Sequence, residues 1–407
     1  MNPSRSGYQL FVDRQFRELW TANFVSNFGL VLMLLAASWV MASITDNTVL
    51  VAMVQTAASL PIFLFSIPFG LIGDRFGYRR FLIVAQLWML IPASILTLAA
   101  WQSRLQPWLL LILLFLTGIG TVMQKAAWTP MLYDVAPGDE AVAVVSLTSL
   151  GNKGSQAIGP LIGGYLMGAF GAAALFAIRA LSHLIMLVTL TRVPQPAETP
   201  PAQQDSINDL RQSLAAGWRF ARHSPAIIGT LVRSVMLMTP WAGLLALLPL
   251  EAKLNIQTEV IGYGGLLTAL GVGTVLSTSL MPLLDKRVSM NALATVALFV
   301  FALGVLGISQ WDSMLLDASF LFIVGLSFGV LSVSQQATVQ SSAPDDFRGQ
   351  ITSFYVLSVQ GSMVAGSLLA GLLARFIGVS QTIMVCGFVA MSALLLTTVF
   401  PLREATD

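Results

Sequence analysis

An all-helical membrane protein of twelve spans, six on either side of a polar linker, is the fold this sequence predicts. Three observations carry the prediction. Of 407 residues, 56% are hydrophobic and only 10% are charged. A soluble chain carries about a quarter charged residues, so most of this surface faces lipid. The apolar residues fall in runs of roughly 20, the length that crosses a bilayer as a helix. Finally, the stretch around residues 114–171 reappears at a constant offset of 207 residues.

Taken in order, the opening MNPSRSGYQLFVDRQFREL is polar and mixed in charge, so no cleavable leader is expected and the first span directs insertion. The spans fall at 16–42, 48–73, 79–101, 107–132, 141–168, 172–191, 225–250, 259–284, 289–309, 314–340, 348–375 and 378–400. An even number places both termini on one side. That side holds fourteen Lys and Arg, whereas the opposite loops hold three (Arg104, Lys253, Arg375). The asymmetry predicts cytoplasmic termini. The break at 193–224 begins Pro-rich, as a linker, and continues as INDLRQSLAAGWRFARHS. Ile207, Leu210, Leu214, Trp218 and Ala221 share one helical face there, with Arg211, Arg219 and Arg222 elsewhere. This reads as an amphipathic helix, lying on the inner membrane surface or packed on the inner loops. The domains are then 1–192, 193–224 and 225–407.

The repeat pairs LFLTG (114–118) with LFIVG (321–325), Pro137 with Pro344, Asp139 with Asp346, Gly164 with Gly371 and Gly171 with Gly378. Over 136–171 there are 12 identities in 36 ungapped positions. The halves read as a duplicated unit of parallel topology, an arrangement that places a binding site near the midplane between them.

Four ionised residues fall well inside spans, and all are basic: Lys125, Lys153, Arg179 and Arg233. A charge at the bilayer centre costs about 2.5–3.5 kcal/mol on insertion scales, so it faces protein or a wet cavity. No Asp or Glu lies mid-span; the nearest are Glu251 and Asp317, toward the outer ends. An anionic ligand would supply the missing charge. Lys153, Arg233 and Lys125 are the candidate contacts, completed by Asn23 and Asn27 at helical spacing, Gln124, and Gln360, the repeat partner of Lys153. Gln55 and Gln335 fall on inner spans too, and Trp39, Trp128, Phe354 and Tyr355 offer rings for stacking. Arg179 and His183, one turn apart, read rather as a structural polar contact. Proton-coupling candidates are Asp317, Glu251 and His183. No phosphate loop, metal-ligand cluster or nucleophile triad is visible, so neither enzyme chemistry, a metal nor a cofactor is expected. Cys386 is the sole cysteine, which excludes a disulfide framework, and a net charge of +2 gives no reason to expect nucleic acid.

The segment GLIGDRFGYRR, with Gly70, Gly73, Asp74, Arg75, Gly77, Arg79 and Arg80, resembles the second-to-third-helix loop signature of the major facilitator superfamily. The resemblance implies gating for these residues and for Asp346 and Arg348 in the inner loop of the second half. The second-half copy, LLDKRVSMN, keeps only Asp285, Lys286 and Arg287. GPLIGG, containing Gly159, Pro160, Gly163 and Gly164, is similar to the fifth-helix motif of antiporters in that superfamily. FVDRQFRELWTANFVSNFG and APDDFRGQITSFYVLSVQGSMVAGSLLAGLLARFIG resemble its bacterial exporter branch, which includes the enterobactin exporter and macrolide efflux pumps. That branch often carries an arginine where this chain has Gln156. The resemblance implies a monomeric secondary exporter of the bacterial inner membrane, working by alternating access and driven by protons, with span seven lining the path. Its expected partners are an anionic small molecule, first a siderophore, together with protons and membrane lipids. A multidrug or macrolide exporter, a lysophospholipid flippase and a non-transporting receptor or scaffold are the alternatives.

Overall fold

The computed structural model describes residues 13–135, 140–192, 207–284, 289–308, 310–311 and 313–399, and every regular element among them is helical. Helix α1 (Arg14–Ile44) starts where the Asp13 carboxylate accepts from the backbone N–H of Gln15 at 2.8 Å and Phe16 at 3.4 Å. That satisfies donors which a first turn leaves open. Asn47 caps α2 (Thr48–Phe76) in the same way. The chain then turns on Gly77 (φ 78°) into α3 (Tyr78–Trp101), a backbone angle that favours glycine. Helix α4 is Pro107–Val135.

One helical run follows, Glu140–Arg192. As a straight rod it would measure about 80 Å at 1.5 Å per residue, more than twice the hydrocarbon core. It breaks at Gly171, with φ 76° and ψ 174°, giving α5 (140–170) and α6 (172–192). Both arms meet the same part of α1. Gly159 and Gly163 of α5 lie on Val31 and Leu32, while Arg179 and Ser182 of α6 lie on Gly29. The run therefore doubles back on itself.

Past the linker come α7 (Ile207–His223), α8 (Pro225–Leu254), α9 (Val260–Leu284), α10 (Met290–Gly307), α11 (Met314–Ser342), α12 (Arg348–Ile377) and α13 (Val379–Val399). Gly378, between α12 and α13, has φ 91° and ψ 167°, nearly the conformation of its repeat partner Gly171. The twelve predicted spans fall on α1–α6 and α8–α13. Among the described residues ten helices are long and apolar enough to cross a membrane; one is the run Ala143–Arg192 that turns at Gly171, and Val379–Leu395 adds a shorter apolar helix.

Helix α1 packs on the α5–α6 pair, α2 and α3 on α4, and α3 also on that pair. In the second set α8 packs on α12 and α13, α9 on α11, and α10 on α11 and α13. Across the sets, α5 meets α9 and α12 meets α2. The largest buried apolar cluster runs through both sets at the end where α1 and α8 finish, joining Leu32, Met41, Val51, Leu244, Leu250 and Leu266. The opposite end has two separate clusters. One holds Phe16, Leu19, Phe81 and Met131; the other holds Ile227, Val339 and Ile351 beside α7. The sets are thus fused at one end and parted at the other.

Helix α7 is held against the second set. Gln350 Nε2 donates to Ser213 Oγ at 2.6 Å, Phe220 stacks on Phe347 at 5.2 Å, and Trp218 meets Phe354 edge-on at 5.6 Å. Of the apolar face expected from sequence, Ala221 is fully buried on protein whereas Trp218 stays 48% exposed.

Candidate functional site

Two seams of small residues join the sets, and the site begins where they end. On α5, Ala157, Pro160 and Gly164 share one face and meet α9. A Cβ on Gly164 would lie 2.8 Å from the Val260 carbonyl oxygen, and one on Gly271 would lie 2.7 Å from that of Gln156 and 3.0 Å from Ala157 Cα. On α12, Val364, Ser367 and Gly371 occupy the same register, each 207 residues further on, and the face meets α2. Thr48 Oγ1 donates to the Gly371 carbonyl at 2.8 Å, and the Thr56 and Ser367 hydroxyls share a buried bond of 2.7 Å. Lys253 Nζ, donating to the Ala42 carbonyl at 2.6 Å, and the Trp39–Tyr263 stack at 5.5 Å complete the closed end.

Lys153 is the next residue on the α5 face, one turn past Ala157, and Gln360 is the next on the α12 face, one turn past Val364. The two repeat partners therefore occupy corresponding positions on the two inter-set faces, one turn beyond the seam residues. Both are half-buried. Among the described residues Lys153 makes no hydrogen bond or ion pair. Beside it, Asn152 Oδ1 accepts from Asn23 Nδ2 at 3.1 Å, and Asn27 Nδ2 donates to Asn23 Oδ1 at 3.1 Å. The amide ladder predicted on α1 is thus tied to the helix that carries Lys153. The α5 face continues toward the open end with Ser149 exposed. On α4, Lys125 and Thr129, one turn apart, are exposed, whereas along the middle of α3 the exposed side chains are apolar: Val84, Leu87, Trp88, Ile91, Ile95 and Leu98.

The remaining candidates fall elsewhere. Arg233 is buried on α8, next to Ser234, which donates to Gln335 Oε1 at 3.0 Å. Arg179 lies within the first set, donating to the Ser26 carbonyl at 2.6 Å and to Met89 Sδ at 3.7 Å. His183 shares a 2.6 Å bond with Gln86 Oε1, and Gln86 Nε2 donates to Gln124 Oε1 at 3.1 Å. Gln124 is accordingly engaged inside the bundle with His183. Glu251 and Asp317 are both buried at the closed end, where Glu251 Oε2 accepts from Asn255 Nδ2 at 2.6 Å. Trp128 is buried and Gln55 bonds weakly to Ser59 at 3.5 Å.

Comparison with known proteins decides the family. The profile described as transmembrane secretion effector matches residues 5–407. This chain belongs to the transmembrane secretion effector family, a branch of the major facilitator superfamily. The enterobactin exporter of Escherichia coli is 27% identical over 401 residues, covering 96% of this chain and 92% of that one. Macrolide efflux protein A of Streptococcus pyogenes is 23% identical over 380 residues, covering 92% of each. In fold the chain is similar to a crystal structure of a POT family transporter, with a TM-score of 0.75, 14% identity and 97% coverage of each chain.

The loop signature GLIGDRFGYRR sits at the open end, between α2 and α3. Gly77 makes the turn, Gly73 lies 3.5 Å from Phe81 as a Cβ would measure it, and Gly70 faces open space. Arg79 donates to the carbonyls of Leu190 at 2.8 Å and Thr191 at 3.2 Å, capping the C-terminal end of α6, where a cation is favoured. Arg80 is exposed. The side chains of Asp74 and Arg75, and residues 285–287, lie outside the described residues. Asp346 is exposed in the short turn Asp345–Phe347, and Arg348 opens α12. The GPLIGG glycines divide their work: Gly159 and Gly163 seat α5 on α1, and Pro160 and Gly164 seat it on α9. The seam register and the Asn152 link were missed from sequence, although the 207-residue offset already contained the first.

Proposed function

We propose that this chain is a proton-driven secondary exporter that carries an amphiphilic anion, first of all a siderophore, out of the cytoplasm by alternating access. Two six-helix bundles, 1–192 and 225–407, rock about the two seams. With the arginine-rich end inward, the closed end faces outward and the cleft loads from the cytoplasm of a bacterial inner membrane. The observation that carries this reading is Lys153: a cation on an inter-bundle face, one turn below the roof, without a partner among the described residues. A cation at that depth needs an anion to neutralise it, and the cargo supplies one. Gln360 on the opposite wall and the Asn23–Asn152 ladder provide neutral hydrogen bonds to the cargo's polar groups. Cationic macrolide-type cargo would call for a carboxylate in the cleft, and the two carboxylates buried among the described residues, Glu251 and Asp317, sit at the closed end instead. The test compares metabolites secreted under iron starvation by cells carrying the parent chain, Lys153→Met, or neither. An iron-chelating anion retained inside cells that lack the gene or carry Lys153→Met supports the reading. Equal secretion in all three, with equal amounts of protein in the membrane, refutes it.

A further inference from the structure

A second cavity, distinct from the cleft, lies at the closed end. It has a volume of about 570 Å³ and is lined by Glu251, Leu254, Asn255, Gln257, Trp311 and Ser380. It is built by the end of α8, the connection from α8 to α9, Trp311 between α10 and α11, and the first turn of α13. At its base is Glu251, 1% exposed. One carboxylate oxygen, Oε2, accepts from Asn255 Nδ2 at 2.6 Å and from Ser380 Oγ at 3.3 Å. The other makes no hydrogen bond among the described residues, and Glu251 is part of the cavity wall. Asn255 Nδ2 also donates to Ser380 Oγ at 2.7 Å, so the carboxylate is fixed in place by groups on two helices. At the rim stands Trp311, 58% exposed.

We infer that this cavity binds a small alkylammonium group, with Glu251 as its counter-charge and the Trp311 ring face as its second wall. The chemistry is complementary on both counts. A buried carboxylate with one oxygen free attracts a cation by charge, and an exposed indole attracts a cation to its face. The volume falls in the range of sites for small molecules and is far larger than a bare metal ion needs. Leu254 gives the apolar contact that the alkyl part requires. The site lies on the opposite face of the molecule from the cleft, so it is reached from the other side of the membrane. It does not depend on the identity of the exported cargo. The ammonium comes either from a free amine or from the ethanolamine head of a lipid, and the same groups hold both.

The test is calorimetric titration of the full-length protein in nanodiscs with choline and with its neutral carbon isostere, 3,3-dimethylbutanol. Choline is expected to bind saturably and the isostere not. Trp311→Ala, at an exposed position that leaves the fold intact, is expected to weaken choline roughly three- to fivefold. Glu251→Gln, which keeps the bond from Ser380 and removes the charge facing the trimethylammonium, is expected to weaken it at least about tenfold. Discs containing phosphatidylethanolamine separate the sources. Competition with choline identifies the lipid head as the ligand, and unchanged choline binding identifies a free amine. Equal binding of choline and the isostere, or choline binding unaltered in both variants, overturns the inference.

Discussion

Moving the cleft's cation from one wall to the other is the sharpest test of how cargo is held. Lys153 and Gln360 stand at equivalent places in the two seams, so Lys153→Gln combined with Gln360→Lys relocates the charge without changing composition. The magnitude follows from the surroundings. A hydrogen bond between charged groups contributes about 1.5–3 kcal/mol, which is roughly ten- to hundredfold in affinity. Lys153→Gln alone should therefore lower transport into proteoliposomes by about that factor at cargo concentrations below saturation. Since Lys153 makes no bond among the described residues, its loss orphans no acceptor. Stability should stay within about 0.5 kcal/mol of the parent. The double variant should recover to within about tenfold of the parent, the residue of imperfect symmetry between the walls. Flux, measured alongside a thermal unfolding curve, decides the matter. Full activity in Lys153→Gln, or no recovery in a well-folded double variant, refutes the reasoning.

Three further outcomes follow from the seams and the buried network. Gly164→Val would place a side chain 2.8 Å or less from the Val260 carbonyl; overpacking of about 1–3 kcal/mol falls only on the closed arrangement, so spin-label distances across this end should lengthen. Thr56→Val and Ser367→Ala should show a coupling of about 0.5–1.5 kcal/mol in a double-mutant cycle on thermal stability, and additivity would show that the 2.7 Å bond contributes nothing. Arg179→Ala should unfold at lower temperature through the cavity it leaves, by about 2–5 kcal/mol. Arg179→Met should hold close to the parent, because exchanging a buried cation for an apolar chain of similar size removes its desolvation cost; equal losses in both would argue for the charge itself.

Span positions were legible because lipid imposes a single rule, a long apolar run; α1–α6 and α8–α12 obey it, and α13 adds the shorter apolar stretch Val379–Leu395. The turn between the fifth and sixth spans was legible only as a gap between 168 and 172. Gly171 was visible as a glycine paired with Gly378, and the structure adds that both take the same left-handed angle. Side-chain partnerships were harder to read. Gln124 reads from sequence as a cargo contact because it is polar and deep, and the structure adds what the sequence does not show, a bond from Gln86 in a chain reaching His183. Sequence gives depth but not azimuth when four helices surround a residue. For Lys153 azimuth was recoverable after all, since Ala157, Pro160 and Gly164 mark its face once a neighbour for them is known. The linker helix shows the same limit: its amphipathic pattern was plain, but whether membrane or protein covers it depended on Phe347 and Gln350, more than a hundred residues away.

The seam between α5 and α9 has one more consequence. Its closest approaches run from backbone to backbone, with Pro160 and Val260 offering carbonyl oxygens rather than side chains. Such a joint is indifferent to most of what evolution alters. So long as no Cβ intrudes at Gly164, Gly264 or Gly271, side chains elsewhere on the two helices can be exchanged while the joint keeps its fit. A lineage built this way can vary its other surfaces without losing the join between its halves.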